Sequence, residues 1–150
     1  MNLSGKCLCG SIQFTLIPKD NMDAHVCHCS YCRRWTGGIS MTLTCQHMPT
    51  FQKGKALLKT YKSSEWGERC FCSNCGTNLF VNCPKYGYYG VCPGTLEDND
   101  QAKLKLAGEI FIDKKPAFYN FAGNDWKKMT EAEFHASVTE EAKEGEEPEK

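Results

Sequence analysis

No stretch of this chain stays apolar for the ~20 residues a helix needs to cross a bilayer, so no membrane span is expected. The first ten residues also lack a basic start followed by an apolar run, the mark of a secretory signal. A cytoplasmic address is therefore the expectation, with the nucleus as the other reducing compartment. Net charge is missing too, since 18 basic and 18 acidic residues cancel to +0. That balance conceals an asymmetry. Residues 139–150 hold 6 acidic and 2 basic side chains, giving −4, and residues 1–138 hold 16 basic and 12 acidic, giving +4. A body at +4 suits a small anionic ligand and is too weakly basic to point to nucleic acid. Internal repeats are absent, and helical signals are sparse. The expected organisation is one domain, residues 1–138, and an acidic tail, residues 139–150. The tail has no aromatic residue and is expected to be disordered.

What remains reads as short strands divided by turns. Residues 11–17 alternate with period two and stop at Pro18, and residues 39–45 alternate similarly. Residues 57–61 follow a turn at Gly54. Residues 78–83 and 88–91 read as a hairpin through Pro84-Lys85-Tyr86-Gly87, and residues 109–112 as a late strand. Residues 30–36 predict one or two helical turns ended by Gly37-Gly38. Thr130-Glu131-Ala132-Glu133 fits a cap for a short helix at Phe134. The fold class is mainly β with few short helices.

Cysteine is the abundant residue, at 11 of 150. An odd number cannot pair completely within one chain, and a reducing compartment disfavours disulfides. The spacing favours metal. Cys7/Cys9, Cys27/Cys29/Cys32 and Cys72/Cys75 stand one or two residues apart. Near neighbours reach disulfide geometry poorly, but they aim two thiolates at one cation well. Cys7, Cys9, Cys72 and Cys75 together make four thiolates, a closed structural set that ties the start of the chain to its middle. Gly10 and Gly76 follow those pairs and permit the tight turns they need. Cys27, Cys29 and Cys32 supply only three. Either the fourth position is open, as in catalytic zinc sites, or His28, His25 or Cys70 closes it. Cys45, Cys83 and Cys92 read as buried core thiols, and His47 and His135 as isolated side chains. Iron is the other cation that tetrahedral thiolates accept.

The order C-x-C-G-S from Cys7, C-H-C-S-Y-C-R-R-W-T-G from Cys27 and C-S-N-C-G-T from Cys72 resembles the glutathione-dependent formaldehyde-activating enzyme family. The broad group includes centromere protein V. Gly54, Ser63-Ser64, Gly94-Thr95-Leu96, Ile110-Phe111, Lys115-Pro116 and the segment from Phe118-Tyr119 to Asp125 extend the resemblance over about residues 5–127. It implies zinc-pinned, small antiparallel sheets of the β-tent type. It also implies two Zn2+ per chain, one structural on Cys7, Cys9, Cys72 and Cys75, and one catalytic on Cys27, Cys29 and Cys32.

The activity so implied is that of a zinc-dependent carbon–sulfur lyase acting on a small thiol–aldehyde adduct such as S-hydroxymethylglutathione. The partner is then a small thiol or aldehyde, with glutathione as the candidate thiol. Arg33, Arg34 and His28 are the candidate substrate contacts, a guanidinium pairing with a substrate carboxylate. Trp35 reads as a structural aromatic beside them. The competing class is a non-enzymatic zinc module that binds a protein or chromatin partner. Such a module leads one to expect basic or proline-rich extensions, and the acidic tail is the opposite.

Overall fold

A computed structural model describes the backbone of residues 1–144 and the side chains of residues 1–140. β1 (Leu3–Lys6) and β2 (Gln13–Leu16) flank the first cysteine pair. β3 (Asp23–Cys27) runs into helix α1 (Ser30–Thr36), which stops at Gly37. β4 (Ser40–Cys45), β5 (Thr50–Lys53), β6 (Leu58–Lys62) and β7 (Glu68–Cys72) follow. β8 (Asn78–Cys83) and β9 (Tyr88–Val91) form the expected hairpin over a 3-10 turn at Pro84–Tyr86. After the short helix α2 (Asp98–Gln101) come β10 (Lys105–Ile110), β11 (Lys127–Met129) and helix α3 (Glu131–Glu144).

The strands build two sheets. One has the order β1-β2-β5, and the other β11-β10-β3-β4-β9-β8-β7-β6. The mainly β reading holds, with two features the sequence did not reveal. The larger sheet has eight strands, and it is parallel at one end, where β10 pairs with β3 and with β11. Parallel neighbours need a long connection, and the segments between β3 and β10 and between β10 and β11 supply it.

The core lies between the sheets. Leu3, Phe14 and Leu16 of the smaller sheet join Leu43, Phe80 and Val91 of the larger one in a single buried cluster. The Phe51 and Phe80 rings meet across it with centroids 6.0 Å apart. Residues 79–82 of β8 are all buried, so this strand is covered on both faces.

Gly54 fixes how the smaller sheet approaches the first cysteine turn. Its φ is +75°, and a Cβ there would sit 1.9 Å from the Ser11 carbonyl oxygen. Gly54→Ala therefore combines a left-handed backbone penalty of about 1–2 kcal/mol with a main-chain clash. The expected outcome is a loss of more than about 2 kcal/mol in chemical denaturation. A variant as stable as the wild type would show that the turn can move aside.

The last helix departs from the sequence reading. Thr130 caps it, its Oγ1 accepting the Glu133 N–H at 3.2 Å, and Phe134 stacks on Phe111 with centroids 5.6 Å apart. From that anchor the helix continues to Glu144, past the boundary placed at residue 139. Glu, Ala and Lys are strong helix formers, which is why a charge-rich composition did not end the element. Residues 145–150 of the expected tail lie outside the described residues.

Candidate metal centres

The first cluster joins two turns. The Gly10 N–H donates to the Cys7 carbonyl at 3.0 Å, and the Gly76 N–H to the Cys72 carbonyl at 2.8 Å. Both glycines have left-handed φ, +73° and +76°, as the sequence suggested. The Sγ atoms of Cys7 and Cys9 lie 3.5 Å apart, those of Cys9 and Cys72 lie 4.0 Å apart, and all four with Cys75 fall within 4.8 Å. A disulfide needs about 2.05 Å. A tetrahedron with bonds of about 2.3 Å has edges of about 3.8 Å, so the spacing matches sulfurs around one cation.

Neutral donors face these sulfurs. The Ile12 N–H and the Asn74 Nδ2 each lie 3.3 Å from a sulfur, on Cys7 and Cys9 respectively, and the Thr77 hydroxyl is 3.1 Å from Cys75. Hydrogen bonds from Ser11 and Asn74 pull Cys9 down to about 5, and Thr77 pulls Cys75 down to about 7. Burial holds Cys7 up at about 11.

The second cluster sits where β3 becomes α1. Cys27 ends the strand, Cys29 caps the helix with its Sγ 3.4 Å from the Cys32 N–H, and Cys32 lies in the first turn. Their three sulfurs also fall within 4.8 Å of one another. Without a cation, thiolates this close cannot all ionise. Thiol hydrogen bonds from Cys27 and Cys29, with Arg69 beside them, pull Cys32 down to about 2. The same contacts force Cys27 far up. Cys29 is raised as well: the bond from Cys27 favours its thiolate, but its bond to Cys32 and burial win. A divalent cation removes that conflict. Both donor sets therefore could hold a metal ion, and their sulfur chemistry is consistent with zinc.

Among the described residues, no histidine, cysteine or carboxylate joins Cys27, Cys29 and Cys32 within that distance. Each alternative fourth donor is placed elsewhere. The Cys70 sulfur is 3.5 Å from both Thr60 Oγ1 and Asn82 Nδ2, within the core between the sheets. The His25 ring lies against Gly108 of β10. His28 is 0% exposed, with Nε2 2.7 Å from Glu109 Oε1 and Nδ1 3.1 Å from the Tyr119 hydroxyl. Both of its ring nitrogens are taken. Of the two arginines, Arg33 donates its Nε to the His28 carbonyl at 2.9 Å, while Arg34 is exposed.

Four residues around this cluster escaped the sequence reading. Glu109, 2% exposed, accepts from Trp126 Nε1 at 2.7 Å on its second oxygen, so the carboxylate bridges His28 and Trp126. A lone carboxylate inside the apolar run Gly108-Glu109-Ile110-Phe111 was the available signal, because an unpaired buried charge is too costly to keep. Tyr119 and Trp126 close the same network from the segment after β10, and nothing in their spacing announced it. Arg69, 3% exposed, directs Nη1 and Nη2 to the Cys32 sulfur at 3.6 and 3.8 Å. Its neighbour pattern Glu68-Arg69-Cys70-Phe71 gave no hint of an inward guanidinium.

Comparison with known proteins aligns with these sites. A family model described as glutathione-dependent formaldehyde-activating enzyme matches residues 2–114, a range that holds all seven clustered cysteines. An uncharacterized lyase of Schizosaccharomyces pombe is 31% identical over 119 residues, covering 79% of this chain and 84% of that protein. A Halomonas elongata protein bearing the name putative glutathione-dependent formaldehyde-activating enzyme is 29% identical over 123 residues, 77% of this chain and 78% of its own. The crystal structure of a Rhodobacter sphaeroides protein superposes with a TM-score of 0.57 at 25% identity, covering 64% of this chain and 89% of the other.

Proposed function

The chain belongs to the glutathione-dependent formaldehyde-activating enzyme family, and from that premise we propose that it is a zinc-dependent carbon–sulfur lyase acting on a small thiol–aldehyde adduct of the S-hydroxymethylglutathione kind. One observation carries the reading: three sulfurs, Cys27, Cys29 and Cys32, converge with no fourth protein donor among the described residues, beside a second set that has four. Three ligands leave a position for substrate, and four close the site.

In the direction of synthesis the substrate sulfur bonds to the aldehyde carbon, the C=O π bond opens, and the proton passes from sulfur to oxygen. When bound to Cys27, Cys29 and Cys32, zinc supplies the positive charge that lowers a substrate thiol from its ordinary pKa of about 8.5. Cys7, Cys9, Cys72 and Cys75 would hold a structural zinc, which would fasten the β1–β2 turn to the β7–β8 turn. The chain's own residues then shape the site. Cys29 and Cys32 are fixed by the first turn of α1, and Cys27 by its register opposite Ser40 and Ile110. His28 has both ring nitrogens engaged by Glu109 and Tyr119, so it would contribute orientation instead of a ligand. Arg34 is exposed near the end of α1, and Arg33 has its remaining guanidinium N–H groups beyond the one given to His28. Both can meet a carboxylate of the substrate.

Purified protein is expected to contain two zinc ions per chain and to speed thiol–aldehyde exchange, followed by NMR in both directions, above the buffer rate. Cys29→Ala is expected to lose one zinc equivalent and the whole enzymatic increment while keeping its circular dichroism. Exchange by the wild type at the buffer rate would end the reading.

A further inference from the structure

Arg69 is a buried cation with no carboxylate. Among the described residues no aspartate or glutamate lies within ion-pair distance of it, although it is 3% exposed. A buried charge persists only when paired and hydrogen-bonded. Its partners come from two places. Nε donates to Ser63 Oγ at 3.1 Å, Nη1 and Nη2 straddle the Cys32 sulfur, and the guanidinium carbon lies 5.3 Å above the Trp35 ring. Cys32 and Trp35 stand three residues apart on α1 and therefore on one face. The helix thus offers a thiolate and an aromatic face together, and β7 fills the place with a planar fork that suits both.

Charge counting gives this contact a purpose. Three thiolates and one divalent cation sum to −1, in a place less open to water than Cys9 of the four-sulfur set. That other set meets neutral donors, Ile12 N–H, Asn74 and Thr77, and its Cys9 is exposed, so part of its excess charge faces solvent. The three-sulfur set has Arg69. With the guanidinium included the site is neutral, so an anionic fourth ligand brings it to −1 instead of −2.

We infer that Arg69 is the positioning residue of the three-cysteine site, its buried charge balancing the thiolates so that the site holds its metal and admits an anionic sulfur ligand. The inference rests on reading Cys27, Cys29 and Cys32 as a metal site, and the experiment separates the two. The holoprotein, Arg69→Met, Arg69→Gln and Arg69→Lys are titrated with a zinc chelator, and their cobalt-loaded forms are titrated with 2-mercaptoethanol in the visible region. A wild type holding only one zinc would remove the metal-site reading itself, and this inference with it. With two zinc ions present, Arg69→Met and Arg69→Gln are expected to lose about 10–100-fold in affinity for one equivalent only. The other equivalent keeps its wild-type affinity and the protein its circular dichroism, and the cobalt spectrum responds to thiol only at higher concentration. Both equivalents retained at wild-type affinity would overturn the inference. Should neither neutral variant fold, Arg69→Lys decides: a loss of about tenfold or less supports charge balance, and a loss near 100-fold overturns it.

Discussion

Cys75→Ala is expected to abolish the folded state, leaving a chain that aggregates or shows no cooperative melt and that binds at most one zinc. The size of the effect follows from two magnitudes. A four-sulfur zinc site in a small domain contributes about 10–16 kcal/mol of apparent binding energy at neutral pH, while whole domains are stable by only about 5–15 kcal/mol. The location makes that energy folding energy. The cluster joins the turn between β1 and β2 to the turn between β7 and β8, so it fastens the small sheet to the large one across a sequence separation of 63 from Cys9 to Cys72. Ala at position 75 also leaves the Thr77 hydroxyl without its sulfur partner. Circular dichroism, solubility and zinc content, compared with Cys29→Ala under the same zinc concentration, check the contrast. Two cysteine losses with opposite consequences, one for fold and one for activity, are what four ligands against three demands. A folded Cys75→Ala with a wild-type melting temperature would show that the packing of Leu3, Phe14 and Phe80 holds the sheets together unaided.

The legible part of this molecule was its punctuation and its sulfur. The β8–β9 hairpin, the stop of α1 at Gly37 and the turns at Gly10 and Gly76 follow from local chemistry, and local chemistry is written in adjacent residues. The seven clustered cysteines were readable because thiols one or two residues apart suit a shared cation and strain a disulfide. Several strands were not. β1 and β3 are short, and β3 ends on a clustered cysteine, so its alternation merges with the motif that follows. The parallel placement of β10 beside β3 depends on pairing across more than 80 residues, which no window of sequence contains. His28 shows the same limit in one side chain. Its position between two ligands suggested a donor or a substrate contact, and only the fold reveals that Glu109 and Tyr119 occupy both ring nitrogens.

That network carries the second large effect. Glu109→Ala is expected to cost about 3–5 kcal/mol, the usual consequence of removing one partner from a buried pair, and so to lower the melting temperature by roughly 6–20 °C in a chain of this length. Two donors lose their acceptor at once, the His28 ring at 2.7 Å and the Trp126 indole at 2.7 Å, in a place where water does not reach. Glu109→Gln keeps the shape and one acceptor, so it should lose less. The pH dependence separates charge from shape. Burial works against the Glu109 carboxylate, but the Trp126 and His28 hydrogen bonds outweigh it and hold its pKa below the ordinary value of 4.5. A carboxyl depressed in the folded state contributes stability above its unfolded pKa and loses that contribution as pH falls through the folded value. The stability gap between wild type and Glu109→Gln should therefore be full at neutral pH, shrink below about pH 4, and close in stronger acid. Denaturation of both proteins from pH 7 downward tests it, and a gap that does not change with pH would show that the carboxylate's charge contributes nothing to holding His28 between the two ligands.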